Sequence, residues 1–234
     1  MVVLATKLYV DGTARERAID SLDSLVANDL GGVEVDWTIG VRDDDFPSVT
    51  ISGPDATVAR NVLADRWGTI TPDFESGETY VGTLDSWDAD GIVLDVGDGA
   101  ELPASISDNG GLRIETDQLG LGPGTPEQIR TRFGLVQHLG LAFVYDEQEP
   151  RLADKTRDRL FDWSRGAGRV NVNSATRAEV RAAVNRAGHA NDIITVERQG
   201  LLEQSIVCTE NTDPPGLLAA IGDQLPAELL CIVP

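Results

Sequence analysis

The sequence predicts an α+β protein of three small units, and three observations carry that reading. Segments of strand period and helix period alternate along the whole chain. A length of 234 residues exceeds one minimal domain and suits two or three, each with a modest core. Composition shifts at Thr71 to Gly77 and again near residue 150, which places the units at residues 1–73, 74–150 and 151–234.

The first unit opens on an apolar strand, Val2 to Val10, followed by Asp11-Gly12 and an amphipathic helix with Ala18, Ile19, Leu22, Leu25 and Val26 on one face. Gly31-Gly32 stops that helix. Alternation at Val33, Val35, Trp37 and Ile39, and again from Val49 to Ile51, predicts two strands joined across the turn-rich Arg42 to Pro47. A second helix turns Val58, Ala59, Val62 and Leu63 inward and ends at Gly68. The order β-α-β-β-α is that of a small α+β sandwich. A KH-like RNA domain would need a GXXG clamp loop, which this stretch lacks.

In the second unit, Tyr80 to Trp87, Gly91 to Gly97 and Ala100 to Ile106 read as three short hairpin-linked strands, with turns at Asp88-Ala89-Asp90 and Asp98-Gly99. Tyr80-Val81-Gly82-Thr83-Leu84, Gly91-Ile92-Val93-Leu94-Asp95-Val96-Gly97 and Leu102-Pro103-Ala104-Ser105 together resemble an S-one-type OB barrel, the RNA-binding repeat of a small-subunit ribosomal protein. The resemblance implies an OB-like β-barrel, here with a helical insertion starting at Thr125-Pro126-Glu127 and a late strand at Leu139 to Tyr145. Relatives of that kind stack bases on an aromatic and a histidine where this chain has Val93 and Pro103, which leaves Tyr80 and Trp87 as substitutes, each alternatively packing the barrel. The glycines at Gly120, Gly122 and Gly124 lack the lysine of a phosphate loop and read as a turn.

The third unit begins with a basic linking helix, Leu152 to Trp163, and continues as strand Val170 to Asn173, a Ser174-Ala175-Thr176 cap and helix Arg177 to Ala187. Strands Ile193 to Arg198 and Leu202 to Thr209, helix Pro215 to Leu225 and strand Leu229 to Val233 complete β-α-β-β-α-β, the order of a ferredoxin-like sandwich. Asp213-Pro214-Pro215-Gly216-Leu217-Leu218 resembles the DxPGLL turn of ACT ligand-sensing domains. That resemblance makes Asp213, Pro215 and Gly216 an alternative site, where a helix start would receive a small acid.

Charge supplies the functional signal. The chain carries 19 Lys+Arg against 39 Asp+Glu, a net charge of −20, yet residues 151–198 hold ten cations and six acids. The scarcity of lysine and excess of acid resemble proteins of salt-loving archaea, where molar salt shortens the Debye length to about 3 Å. In that setting a low isoelectric point does not argue against nucleic acid, and a local arginine excess argues for it. Lys155 and Arg159 share one helix face, as do Arg177 and Arg181, and Arg165 and Arg169 lie between them. Guanidinium groups so arranged could follow a phosphate backbone. They could equally be balanced by acids elsewhere in the chain.

These observations predict a non-enzymatic RNA-associated protein that binds RNA or a ribonucleoprotein through Lys155, Arg159, Arg165, Arg169, Arg177, Arg181 and Trp87. The competing expectation is a ligand-sensing or protein-interaction module at the Asp213 turn. His138 and His189 have no metal-ligand spacing and no nucleophile elbow beside them, so no metal, cofactor or catalytic residue is expected. Cys208 and Cys231 sit within apolar strand patterns as small buried side chains, and no apolar run is long enough to span a membrane, which predicts a cytoplasmic protein. GTLD near residue 82, RTRFGLV at 130–136, NDIITVERQGLLEQSIVC and TDPPGLL, in that order, resemble an uncharacterised archaeal family.

Overall fold

A computed structural model describes residues 1–234 and holds three antiparallel sheets and six helices. In the first unit, β1 (Val2–Val3), α1 (Gly12–Asp29), β2 (Asp36–Val41), β3 (Pro47–Ser52) and α2 (Ala56–Trp67) build a sheet of order β1-β3-β2. Ala18, Leu22 and Val26 of α1 and Ala59 and Leu63 of α2 bury against Val49 and Ile51. The opening strand is shorter than its apolar run predicts. Beyond Val3 the backbone turns to loop partners, with Leu4 and Leu8 donating to the carbonyls of Pro47 and Asp45. Lys7 and Tyr9 thereby leave the sheet and reach the other two units.

The second unit contains β4 (Thr79–Trp87), β5 (Gly91–Asp95), β6 (Ser107–Asp108), β7 (Gly111–Glu115), α3 (Pro126–Phe133), β8 (Gly140–Val144), β9 (Arg151–Leu152) and α4 (Asp154–Trp163). Its six strands run β6-β7-β5-β4-β8-β9, an open sheet in place of the expected OB-like barrel. Closure fails because the two edge strands are two residues each and no ladder joins them. The predicted strand Ala100 to Ile106 is also absent. Pro103 has no N–H for a ladder, and its carbonyl accepts from both Ile106 and Ser107, closing a turn. Helix α3 begins with a capping box, Thr125 against Gln128. Helix α4, which the sequence assigns to the third unit, packs instead on this sheet, burying Leu160 and Trp163 in the same core as Leu141 and Phe143.

The third unit comprises β10 (Arg169–Val172), α5 (Arg177–Arg186), β11 (Ile193–Arg198), β12 (Gln204–Cys208), α6 (Pro214–Gly222) and β13 (Leu229–Ile232), with sheet order β11-β12-β10-β13. Strand alternation sends Val170, Val172, Val196 and Ile206 into one core with Val180 and Val184 of α5 and Leu217 and Ile221 of α6. Asn171, on the opposite register, donates to the Gly134 carbonyl of the second unit at 2.8 Å. Gly134 ends α3 with φ of 61°, and a Cβ there would crowd Asn171 and Ile232, so the close approach requires glycine.

The turn between β11 and β12 joins the units. Leu201 and Leu202, each 1% exposed, belong to the core of the first unit, not to that of their own sheet. The Leu201 N–H donates to Thr6 Oγ1 at 2.9 Å. Burial of two leucines across a unit boundary makes the first unit depend on the third. Leu201→Ala is expected to destabilise the chain by about 2–5 kcal/mol and to split one urea transition into two, with the first unit unfolding earlier.

Candidate nucleic-acid interface

A groove runs along the junction of the three units. Its larger chamber, about 490 Å³, is lined by Ala5, Arg66, Trp67, Tyr80, Gly140, Lys155, Arg159 and Gln199 among others. A second chamber of about 220 Å³ shares Ala5, Arg66, Trp67 and Gln199 and adds Thr6, Asp29, Arg198 and Gly200. The first unit thus supplies one wall, α4 and the second sheet another, and the end of β11 the third.

Helix α4 sets two of the cations. Thr156 Oγ1 donates to the Ala142 carbonyl and accepts from the Ala142 N–H, both at 3.0 Å, which pins the helix to β8. Lys155 and Arg159, one turn apart, then face the groove. Lys155 is exposed and has no ion pair. Arg159 lies deeper: one Nη donates to the Gly140 carbonyl at 2.9 Å, the guanidinium sits 5.2 Å from the Trp163 ring, and its enclosed Nε has no partner. Burial lowers its pKa, with no carboxylate opposing.

The first unit contributes Arg66 and Trp67 from the last turn of α2. Asp29 holds both, accepting from Trp67 Nε1 at 3.0 Å and pairing with Arg66 Nε at 3.4 Å. The Arg66 side chain is still 69% exposed, so most of its donors face outward. Arg198 closes the far end. Burial lowers its pKa, as do the nearby charges of Arg177 and Arg66, and Asp29 opposes them. Arg177 stands behind it with Nε donating to the Val196 carbonyl at 2.6 Å.

The structure therefore gathers Lys155, Arg159 and Arg177 of the sequence-predicted set and disperses the others. Arg165 is exposed and pairs with Asp162 at 3.2 Å. Arg169 pairs with Glu197 against the Trp163 ring, between units. Arg181 lies exposed on α5, away from both chambers. Trp87 is covered by the Arg130 guanidinium, 3.8 Å from its ring centre, and Arg130 is in turn paired with Glu228. Sequence reasoning missed Arg66, Trp67 and Arg198. The first two sit at the end of a helix whose pattern explained only its buried face, and Arg198 closes a strand. At the alternative turn, the Asp213 carboxylate lies 2.6 Å from where a Cβ on Gly216 would sit.

Behind the Thr6 and Gly200 wall lies a polar cluster drawn from all three units. Glu203, 1% exposed, accepts from the Tyr9 hydroxyl at 2.7 Å, and its second oxygen has no partner. A Cβ on Gly200 would collide with that oxygen. The Ser174 N–H donates to Tyr9 Oη at 2.8 Å, and the His138 ring stacks 3.8 Å from the Tyr9 ring. Lys7 pairs with Asp95 at 2.5 Å. Burial pushes Glu203 up to about 8, and burial followed by the Glu203 charge pushes the Tyr9 phenol up as well. Burial, then the Lys7 charge, holds His138 down at about 4. No group of three or more His, Cys, Asp or Glu side chains is placed to hold a metal ion, and no helix is long and apolar enough to cross a membrane.

Family models match the chain in three consecutive pieces: the DUF2110 N-terminal domain over residues 1–73, the DUF2110 central domain over 74–164 and the DUF2110 C-terminal domain over 167–233. No curated protein matches it.

The buried carboxyl sets a pH dependence. Between about 4.5, the ordinary value, and about 8, the folded chain keeps a Glu203 proton that the unfolded chain has released, so stability falls as pH rises through that window. His138 acts in the opposite sense and lower, adding stability as pH rises from about 4 to 6.5. Glu203→Gln is expected to remove a decline of about 2 kcal/mol between pH 6.5 and 8, read as melting temperature at constant salt.

Proposed function

The chain belongs to the DUF2110 family, and we propose that the junction of its three domains is a binding groove for RNA. The observation that carries this reading is the gathering of unpaired cations in one groove of an acidic chain. Lys155, Arg159 and Arg198 line it and Arg177 adjoins it, and none of the four has an ion pair. Most arginines elsewhere in the chain are matched by a carboxylate, as Arg15, Arg42, Arg113 and Arg157 are. Lys155 and Arg198 are exposed, but Arg159 is partly buried with an enclosed, unpartnered Nε, and leaving such a charge unmatched is unfavourable unless an anionic partner completes it.

A polyanion suits this site better than one small acid. The cations are spread along two joined chambers and come from different elements, so they can neutralise successive phosphates. The strand order β11-β12-β10-β13, with α5 and α6 on one face, supports reading the last domain as a ferredoxin-like sandwich, an architecture that hosts many functions and names none. The acidic, lysine-poor composition supports a high-salt cytoplasmic setting, in which such binding must rest on close guanidinium contacts and less on long-range attraction. No catalytic step is part of this reading.

Charge reversal tests it. Arg66→Glu with Arg198→Glu is expected to weaken binding of a labelled oligoribonucleotide at least tenfold, read by fluorescence anisotropy. The slope of log K against log salt should flatten by about 0.7 for each phosphate that is no longer neutralised. Arg165→Glu, outside the groove, should leave affinity within a factor of two. Equal weakening in both variants would rule the groove out as the binding surface.

A further inference from the structure

We propose that the groove takes a single strand and excludes a duplex, with one backbone phosphate seated on Arg159 and a neighbouring base lying against Trp67. The inference rests on the RNA reading above and narrows its substrate class.

The depth of the cations separates the two forms of nucleic acid. Arg66 and Lys155 are exposed at the rim, where the outer surface of any nucleic acid could touch them. Arg159 is not so placed. Its Nε is fully enclosed, its only hydrogen bond is to a carbonyl, and no carboxylate is near enough to pair with it. A duplex carries its phosphates on the outside of a stiff cylinder, and a chamber of about 490 Å³ cannot admit that cylinder. The same volume falls in the range of pockets that enclose small organic molecules, roughly 300–1,000 Å³, which is the scale of a nucleotide unit. A flexible strand can lower one phosphate to Arg159 and leave its neighbours with Arg66 and Arg198.

The aromatic wall points the same way, independently of charge. Trp67 lines both chambers, and its indole is held by the Nε1 bond to Asp29, so the ring is fixed before any ligand arrives. Tyr80 lines the larger chamber with its ring nearly perpendicular to that of Phe74, 4.8 Å between centres, and its hydroxyl accepting from the Glu75 N–H. Rigid aromatic faces beside a cationic track are how sequence-tolerant single-strand binders hold bases. Bases paired within a duplex have no free face to offer.

The experiment compares one labelled oligoribonucleotide as a single strand and as a blunt duplex, against the full chain. The single strand is expected to bind at least tenfold more tightly. Arg159→Gln and Trp67→Leu should each weaken the strand by roughly tenfold and leave the duplex unchanged. Leucine keeps the apolar contact beneath the indole, and an unaltered cooperative melt confirms that each variant is folded. Trp67→Phe should restore most of the strand affinity. Equal affinity for strand and duplex, both weakened by Arg66→Glu with Arg198→Glu, would overturn the single-strand assignment and keep the groove. Strand binding indifferent to Arg159→Gln and Trp67→Leu would overturn it too. Binding untouched by the Arg66 and Arg198 reversals would overturn the RNA reading itself. Displacement of the strand by inorganic pyrophosphate at equal concentration would assign the site to a small phosphate ligand.

Discussion

The first and third units are locked by one hairpin tip: Leu201 and Leu202 leave the sheet that carries them and complete the core between α1, α2 and β3. The second unit is tied in separately, by Lys7 with Asp95 on one side and by Asn171 on the Gly134 carbonyl and Arg130 with Glu228 on the other. The hairpin tip brings Gln199 and Gly200 to the groove wall and sets Arg198 at its end. It also forces Glu203 inward against Tyr9, where a carboxyl group survives only by keeping its proton. A side chain at position 200 would meet that carboxyl and force Glu203 to move. Core packing, a perturbed acid and the groove wall thus share one short turn.

Charge is distributed in two ways across this scaffold. Elsewhere in the chain most arginines face acids, as Arg15 does Asp45, Arg42 Asp44, and Arg113 Asp88 and Asp108, while Arg60, Arg132, Arg181 and Arg186 stand unpaired on surfaces away from the groove. Such pairs are worth little individually when exposed, but they neutralise most of the cations the chain possesses. The groove departs from that pattern, because Asp29 alone is hydrogen-bonded to its basic wall and is shared between Arg66 and Trp67. Repulsion among Arg66, Arg177 and Arg198 is sustained by folding that is driven elsewhere, by the leucine plug and the three cores.

How much of this could be read from the sequence depended on whether the signal was local. The order of the third unit was legible because each helix there has a clear start, Thr176 with its capping Glu179 and the prolines before Leu217. The open middle sheet was only half legible. Short glycine-punctuated strands look the same whether or not they close, and closure depends on edge strands of two residues that carry no periodicity. Lys155 and Arg159 were found because helical spacing puts them on one face. Arg66 and Arg198 join them only through the leucine plug, a contact between positions more than a hundred residues apart, and no pattern within a segment encodes it.

RNA binding at the junction of the three domains is tested most directly by ultraviolet crosslinking of the full chain to RNA in the cells that produce it, with the crosslinked peptides mapped by mass spectrometry. Adducts are expected on peptides containing Trp67, Tyr80 and Gln199, one from each of the three domains. Adducts confined to the outer face of α5 around Arg181, or to the Trp87 region, would contradict binding in the groove, as would an absence of adducts altogether.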